Sequence, residues 1–358
     1  MPFLKTAYKK GLKPILFKFD PEQVHNVFVG VGESLGKREA GRRLMGLMYG
    51  YHGPDISRTV DGVTYKTPVV LAAGFDYNAR LTGILGSLGF GGVEVGSVTA
   101  YPCEGNVPPR LRRAVESKSL IVYKGLKNEG VDKVIERLEE EGVQPGLVLG
   151  VSIAMTNAES SATLEGAVDD YVQSFRKLNA AGIGDYYTVN ISCPNVYGGE
   201  SFTDPQRLEV LLEALEEVPC SAPRYAKMPI SLDWEAFRQL LDLLRQYEFD
   251  GVIVGNLNKD YDSLDVREEG PDEYRGGLSG KPCRSPSTEL VARTREYCGD
   301  DFTIIGCGGV MSAEDAMEKF DAGADLIQLI SGMIFEGPHL MKEIAQAVAE
   351  REQADGKR

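Results

Sequence analysis

The chain has 358 residues, 42% hydrophobic and 26% charged, enough to bury a large core, and an α/β barrel commonly fills this length as one domain. A formal net charge of −14 argues against general nucleic-acid binding, because duplex phosphates reward clustered Lys and Arg. Six cysteines without a C-x-x-C pair and three widely spaced histidines leave no pattern for zinc, an iron–sulfur cluster or a histidine metal centre, so no metal is assigned.

Scattered thiols of this kind read as reduced and cytosolic. No run of about eighteen apolar residues occurs, and the N-terminus lacks a signal peptide's apolar region and cleavage site. The expectation is a cytoplasmic protein, with contact at the inner face of the cell membrane peripheral at most.

Residues 1–52 read as an N-terminal helical extension. Lys5, Lys9, Lys10, Lys13 and Lys18 alternate with Phe3, Leu4, Tyr8, Leu12, Ile15, Leu16 and Phe17, a basic amphipathic pattern suited to an anionic bilayer, or to ordinary packing on the main domain. Asp20-Pro21-Glu22-Gln23 supplies an N-cap, a proline at the first helical position and a glutamine at the third, starting a second helix that Gly36 ends. Thr59 to Thr64 then reads as a hairpin with an Asp61-Gly62 turn, a plug or lid before a barrel.

Across residues 53–358, short apolar strands alternate with amphipathic helical stretches. The strands are expected at Val69–Ala72, Gly92–Val95, Leu147–Ile153, Tyr186–Ile191, Arg224–Met228, Gly251–Val254, Phe302–Ile305 and Asp325–Leu329. Eight successive βα units predict a closed (β/α)8 TIM barrel, with its site in the loops at the C-terminal strand ends. The long, charged stretch from Asn256 to Ser285 has the length of a lid.

Polar punctuation falls at those strand ends. The fourth strand ends in Asn190-Ile191-Ser192-Cys193-Pro194-Asn195: two carboxamides suited to the edge of a flat heterocycle bracket a thiol able to act as a base if a cation lowers its pKa. Lys227 ends the fifth strand, and a lysine buried in a barrel mouth needs an anion, such as the N1–C2=O edge of a reduced flavin. Glycines in Gly306-Cys307-Gly308-Gly309 and Ser331-Gly332 follow the last two strands, the usual phosphate position of this barrel. FMN satisfies both the phosphate site and Lys227. Ala73-Gly74, Ser97 and Asn256 end other strands.

Several segments together resemble the dihydroorotate dehydrogenase family: Leu71–Asp76, Glu94–Thr99, Glu104–Arg113, Asn190–Asn195, Gly276–Pro282, Ile304–Val310 and Ser331–Pro338. The segment from Asp20 to His25 is similar to the helical hairpin of the membrane-associated, quinone-using class. The resemblance implies a flavoenzyme that moves hydride from C6 of dihydroorotate to the flavin while a base removes the C5 proton. It implies Cys193 as that base, with Asn190, Asn195 and Asn256 on the pyrimidine and Tyr77 and Val122 at the positions of further substrate contacts. FMN would be held by Ala73, Gly74, Ser97, Asn190, Lys227, Gly280, Gly306, Gly308, Gly309, Ser331 and Gly332, and His25 and Arg113 would line a quinone tunnel.

The chain departs from the family pattern at four places. Tyr77 stands where a lysine reaches flavin and substrate carboxylate, Val122 where an asparagine contacts substrate, and Leu257 where a threonine follows Asn256. Cys193 is the base of the soluble class, whereas the membrane class uses serine. Losing a cation and two hydrogen-bonding groups predicts weak orotate binding, unless Tyr123 or Lys124 restores the contacts. The alternatives to dihydroorotate oxidation are a flavoenzyme for a less anionic ring and a non-catalytic flavin-binding protein. A phosphosugar isomerase or aldolase is disfavoured, since no strand-end Glu/His pair is evident. Oligomeric state is not legible.

Overall fold

Runs of valine, isoleucine and leucine, bounded by Gly, Asn and Asp, form the strands of a closed parallel barrel in a computed structural model that describes residues 2–194, 202–268 and 276–356. The barrel strands are Val69–Leu71, Gly92–Val98, Val148–Ile153, Tyr186–Val189, Arg224–Met228, Gly251–Val254, Thr303–Cys307 and Leu326–Leu329. Each pairs with its chain neighbour, and Leu326–Leu329 closes on Val69–Leu71 through Ile327 opposite Val69. All eight expected strands are present, with ends shifted by up to three residues, as at Gly92–Val98. Intervening helices cover the barrel with one apolar face. Trp234–Gln246, for example, is capped by Asp233 and buries Phe237, Leu240, Leu241 and Leu244 at helical spacing.

The N-terminal mouth is plugged. Arg58–Val60 and Val63–Tyr65 pair antiparallel across Asp61-Gly62, both with positive φ (47° and 78°), the geometry that favours Asp-Gly. Tyr65 packs with Val70, Val148, Tyr186, Tyr225, Ile253, Ile305 and Leu326 in the barrel floor. Asp61 Oδ2 accepts hydrogen bonds from the Tyr225 hydroxyl (2.6 Å) and Thr303 Oγ1 (2.7 Å), tying the plug to two barrel strands.

Above the opposite mouth lies an antiparallel sheet of Leu111–Ala114, Ser119–Val122 and Gly277–Leu278. The stretch expected to be a lid thus contributes a short strand to this sheet, with Gly277 opposite Val122. Glu268 from that stretch accepts from the backbone N–H groups of Glu116 (2.6 Å) and Ser117 (3.2 Å), which anchors it to the same sheet.

The extension holds a helical segment over residues 2–16, then Pro21–Gly36 with Asp20 Oδ1 accepting from the Gln23 N–H (2.9 Å), as the capping pattern predicts. A further helix, Glu39–Tyr49, was not expected. Gly41 explains its packing, because an added Cβ would meet the Leu35 carbonyl oxygen at 2.5 Å. The lysines correct the amphipathic reading. Lys5 pairs with Glu343 (2.9 Å), Lys9 with Glu336, and Lys13 donates to the Phe335 carbonyl (2.9 Å), so these cations face the barrel. Phe3, Leu12, Ile15 and Phe19 face outward instead. Among the described residues no helix is long and apolar enough to cross a membrane.

Asp61→Ala leaves the Tyr225 and Thr303 hydroxyls without their acceptor and puts alanine at positive φ. The variant is expected to lose about 2–4 kcal/mol in urea unfolding, and Asp61→Asn clearly less.

Candidate active site

A cavity of about 510 Å³ runs from the N-terminal helices into the C-terminal mouth of the barrel. Its outer wall is apolar, with Leu16, Phe17, Val24, Phe28, Leu81 and Ile84, and its inner end is polar, with Ser97, Asn190, Lys227, Asn256 and Gln328. That contrast suits a flat polar ligand inside and an apolar one outside.

The inner end is a connected network. Asn190 donates from Nδ2 to Ser97 Oγ (2.9 Å), and Ser97 shares a hydrogen bond with Ser152 (2.8 Å). Asn256 Nδ2 donates to Asn190 Oδ1 (3.1 Å) and Ser192 Oγ (2.8 Å), and Ser192 donates to the Lys227 carbonyl (2.7 Å). The Leu257 N–H fixes the other end of the Asn256 carboxamide (2.9 Å), so Leu257 contributes backbone where a hydroxyl was expected. These bonds define which edge each carboxamide turns toward a ligand. Cys193 borders the cavity beside them. Lys259 Nζ donates to the Pro194 carbonyl (2.5 Å); burial lowers its pKa, and the nearby Cys193 opposes that shift.

Beneath the cavity, Lys227 Nζ donates to Gln328 Oε1 (3.0 Å) and faces Glu94 Oε1 at 3.8 Å. Glu94 is fully buried, and its Oε2 accepts from Gln328 Nε2 (2.8 Å), Thr188 Oγ1 (2.9 Å) and the Tyr186 hydroxyl (3.3 Å). The sequence reading missed Glu94 and Gln328, and the signal was a lone charge inside the apolar run Gly92–Val98.

Glycine is required where the last two strands end. Gly309 has φ +77°, and a Cβ there would meet the Arg284 Cα at 2.4 Å. A Cβ on Gly332 would meet the Val310 carbonyl oxygen at 2.0 Å. Gly280 (φ +81°) and Gly74 (φ +104°) also line the cavity, as do Ala73, Gly308 and Ser331, whose Oγ bonds Ser279 Oγ (2.8 Å). Gly306 does not line it: it lies within Thr303–Cys307 with its Cβ position toward Lys319 and Ala324. Asn195 lies outside the described residues. Among those described, no group of His, Cys, Asp and Glu is placed to hold a metal.

Toward the outer end, His25 Nε2 donates to the Phe75 carbonyl (2.8 Å), and burial, then the Lys124 charge, push its pKa down to about 4. Tyr77 stacks on His25 with ring centroids 5.6 Å apart. The Lys124 ammonium sits 4.7 Å from the Tyr77 ring centroid, and burial pulls its pKa down to about 8. Val122 lines the neighbouring wall. Arg113 stacks on Phe17 (4.6 Å) and donates to the Phe19 carbonyl (2.8 Å). One cavity therefore holds every expected site residue among those described except Gly306.

The profile of the family described as Dihydroorotate dehydrogenase matches residues 56–351. The chain is 36% identical over 348 residues to "Dihydroorotate dehydrogenase (quinone)" of Christiangramia forsetii, covering 96% of this chain and 99% of that protein. It is also 36% identical to the protein of the same name from Rhizobium johnstonii, covering 97% and 92% of the two chains. The crystal structure of ligand-free DHODH from Eimeria tenella superposes with a TM-score of 0.81 at 26% identity, covering 94% of this chain and 96% of that one.

Glu94→Ala removes the acceptor shared by Gln328, Thr188 and Tyr186 and leaves Lys227 buried without its counter-charge. The expected loss is about 3–5 kcal/mol in chemical unfolding, the range for breaking a buried pair, and Glu94→Gln is expected to lose less.

Proposed function

This chain belongs to the dihydroorotate dehydrogenase family, and on that premise we propose how its residues divide the reaction between them. It is a flavin-dependent oxidoreductase of the quinone class, acting on a CH–CH bond: dihydroorotate is oxidised and a quinone is reduced. The observation that carries the division of roles is the single cavity joining the Asn190, Cys193 and Lys227 end to the His25 and Arg113 end.

We assign the flavin as FMN. Gly308, Gly309, Ser331 and Gly332 line the cavity, and close packing on Arg284 and the Val310 carbonyl keeps Gly309 and Gly332 without side chains, which fits a phosphate cradled by N–H groups. Gly74 and Ala73 leave room for a ring, and the Lys227 ammonium suits the electron-rich N1–C2=O edge. When bound, the flavin would supply the hydride acceptor for C6 of dihydroorotate and the electron donor for the quinone.

The chain's own residues do the rest. Asn190 and Asn256, already oriented by Ser97, Ser192 and Leu257, hold the edge of the pyrimidine, with Asn195 as a third carboxamide. Cys193 takes the C5 proton, and Lys259 beside it favours the thiolate that this requires. Residues 1–52 form the acceptor extension and 53–358 the catalytic barrel. His25, neutral at pH 7, and Arg113 border the tunnel through which the quinone reaches the barrel. Val27, Leu44 and Leu47 are exposed on the same two helices that line the cavity, and with Phe28 and Val31, exposed where they border it, they form an apolar surface suited to resting on a bilayer. Lys10 and Lys18 are the exposed lysines left to meet anionic headgroups.

Mass spectrometry of the released cofactor is expected to give FMN. Dihydroorotate is expected to bleach the bound flavin anaerobically, and Cys193→Ala to slow that step by roughly 10²-fold or more with cofactor retained. Full activity of the alanine variant would assign the proton to another group.

Val27→Glu with Leu47→Glu, at positions 62% and 69% exposed, places charge on the apolar surface. Vesicle co-sedimentation and turnover with a long-chain quinone are expected to fall together, while flavin reduction by dihydroorotate stays unchanged. Unchanged quinone turnover would mean that the acceptor does not arrive through a bilayer.

A further inference from the structure

Lys124 is, among the described residues, the lysine whose side-chain nitrogen is buried without a hydrogen-bond partner. Its backbone is fixed on both sides. The Tyr123 N–H donates to the Arg110 carbonyl (2.8 Å), and the Lys124 carbonyl accepts from the Asn106 N–H (3.1 Å). The side chain is thereby committed to the cavity, where it lies over Tyr77. Glu22 is the nearby carboxylate, and it is engaged by Arg110 at 2.9 Å. An ammonium kept in so poor an environment is matched by an anion that a ligand brings.

The reaction's participants narrow the choice. A quinone carries no permanent charge, and the glycine backbone at Gly308–Gly309 and Ser331–Gly332 accounts for a phosphate. Dihydroorotate carries a carboxylate. Of the other cations lining the cavity, Lys227 is engaged by Gln328, facing Glu94, and Arg113 by the Phe19 carbonyl and the Phe17 ring, while Lys127 is only half-buried and open to solvent. Given the functional reading above, we propose that Lys124 recognises the carboxylate of the pyrimidine substrate, with the Tyr77 ring as the face on which the ammonium rests. The His25–Tyr77 stack positions that ring, so the aromatic residue and the lysine act as a unit. This supplies the charge that Tyr77, Val122 and Leu257 cannot.

The test compares wild type, Lys124→Met and Lys124→Arg, each purified with its flavin, by calorimetric titration with orotate and with uracil, which lacks the carboxylate. Lys124→Met is expected to weaken orotate binding by roughly 10- to 100-fold, the scale of one lost charge-assisted contact. Uracil binding and flavin content should be unchanged, and Lys124→Arg should recover most of the orotate affinity. Because methionine removes an unpaired buried charge, the variant should fold at least as stably, which thermal unfolding checks. Unchanged orotate affinity, equal losses for orotate and uracil, a rise confined to the quinone KM, or loss of flavin would each overturn the assignment. Failure of wild-type protein to be reduced by dihydroorotate would instead overturn the functional reading, whatever Lys124→Met does.

Discussion

A carboxylate sealed inside a barrel has to be answered by donors from other strands, and Glu94 is that carboxylate here. It stands on Gly92–Val98 and is met by Thr188 and Tyr186 from the fourth strand and Gln328 from the eighth, with Lys227 facing it from the fifth. Such a cluster tolerates little displacement of any strand, because a shift strands a buried polar group. It also decides what Lys227 offers upward. The ammonium is held by Gln328 and drawn toward Glu94, so it meets a ligand as part of a nearly neutral group. The floor of the site is thus rigid and only weakly charged, which suits an electron-rich ring better than a full anion.

The three-stranded sheet above the mouth has a complementary effect. It carries Val122 and fixes the start of the loop bearing Lys124, while Leu257 sits against Gly277 and Asn258 is bridged to Leu278 on the strand that completes it. Two segments of the cavity wall, at residues 122–124 and after Asn256, are therefore set by one ladder of backbone hydrogen bonds. A site built on a ladder is more precise than one built on free loops.

Most of the barrel was legible because its signals are local. Short apolar runs such as Gly251–Val254 end in Gly-Asn or Gly-Ser, and the Asp20 cap is encoded within four residues. What was missed depends on partners distant in sequence. Leu111–Ala114 and Ser119–Val122 were not assigned as strands, and they form a hairpin that Gly277–Leu278, more than 150 residues on, extends to three strands. Lys5, Lys9 and Lys13 looked like a lipid-facing stripe because Glu336 and Glu343 lie at the other end of the chain. Gly306 shows the limit of motif reading: a glycine run marks a close approach without telling which member makes it, and this one faces Lys319. Asn190, Cys193, Asn256 and Lys227 were visible because polar residues at strand ends have no structural reason to be there. Glu94 was not, since one charge in an apolar strand reads as noise until its donors are found.

The Lys124 ammonium and the His25 imidazole both contact the Tyr77 ring. His25 is held neutral chiefly by burial and secondarily by the Lys124 ammonium. An anion that pairs with Lys124 cancels much of that second influence and raises the proton affinity of His25, but burial, the larger cause, remains. The imidazole therefore stays neutral near pH 7 whether or not the inner site is filled, and its Nε2–H stays on the Phe75 carbonyl. On the assignment proposed for Lys124, charge brought by the substrate would be met at Lys124 and Tyr77 without a protonation change at His25. For the quinone path proposed above that insulation matters, because an imidazolium beside it would disfavour a neutral quinone and attract anions in its place.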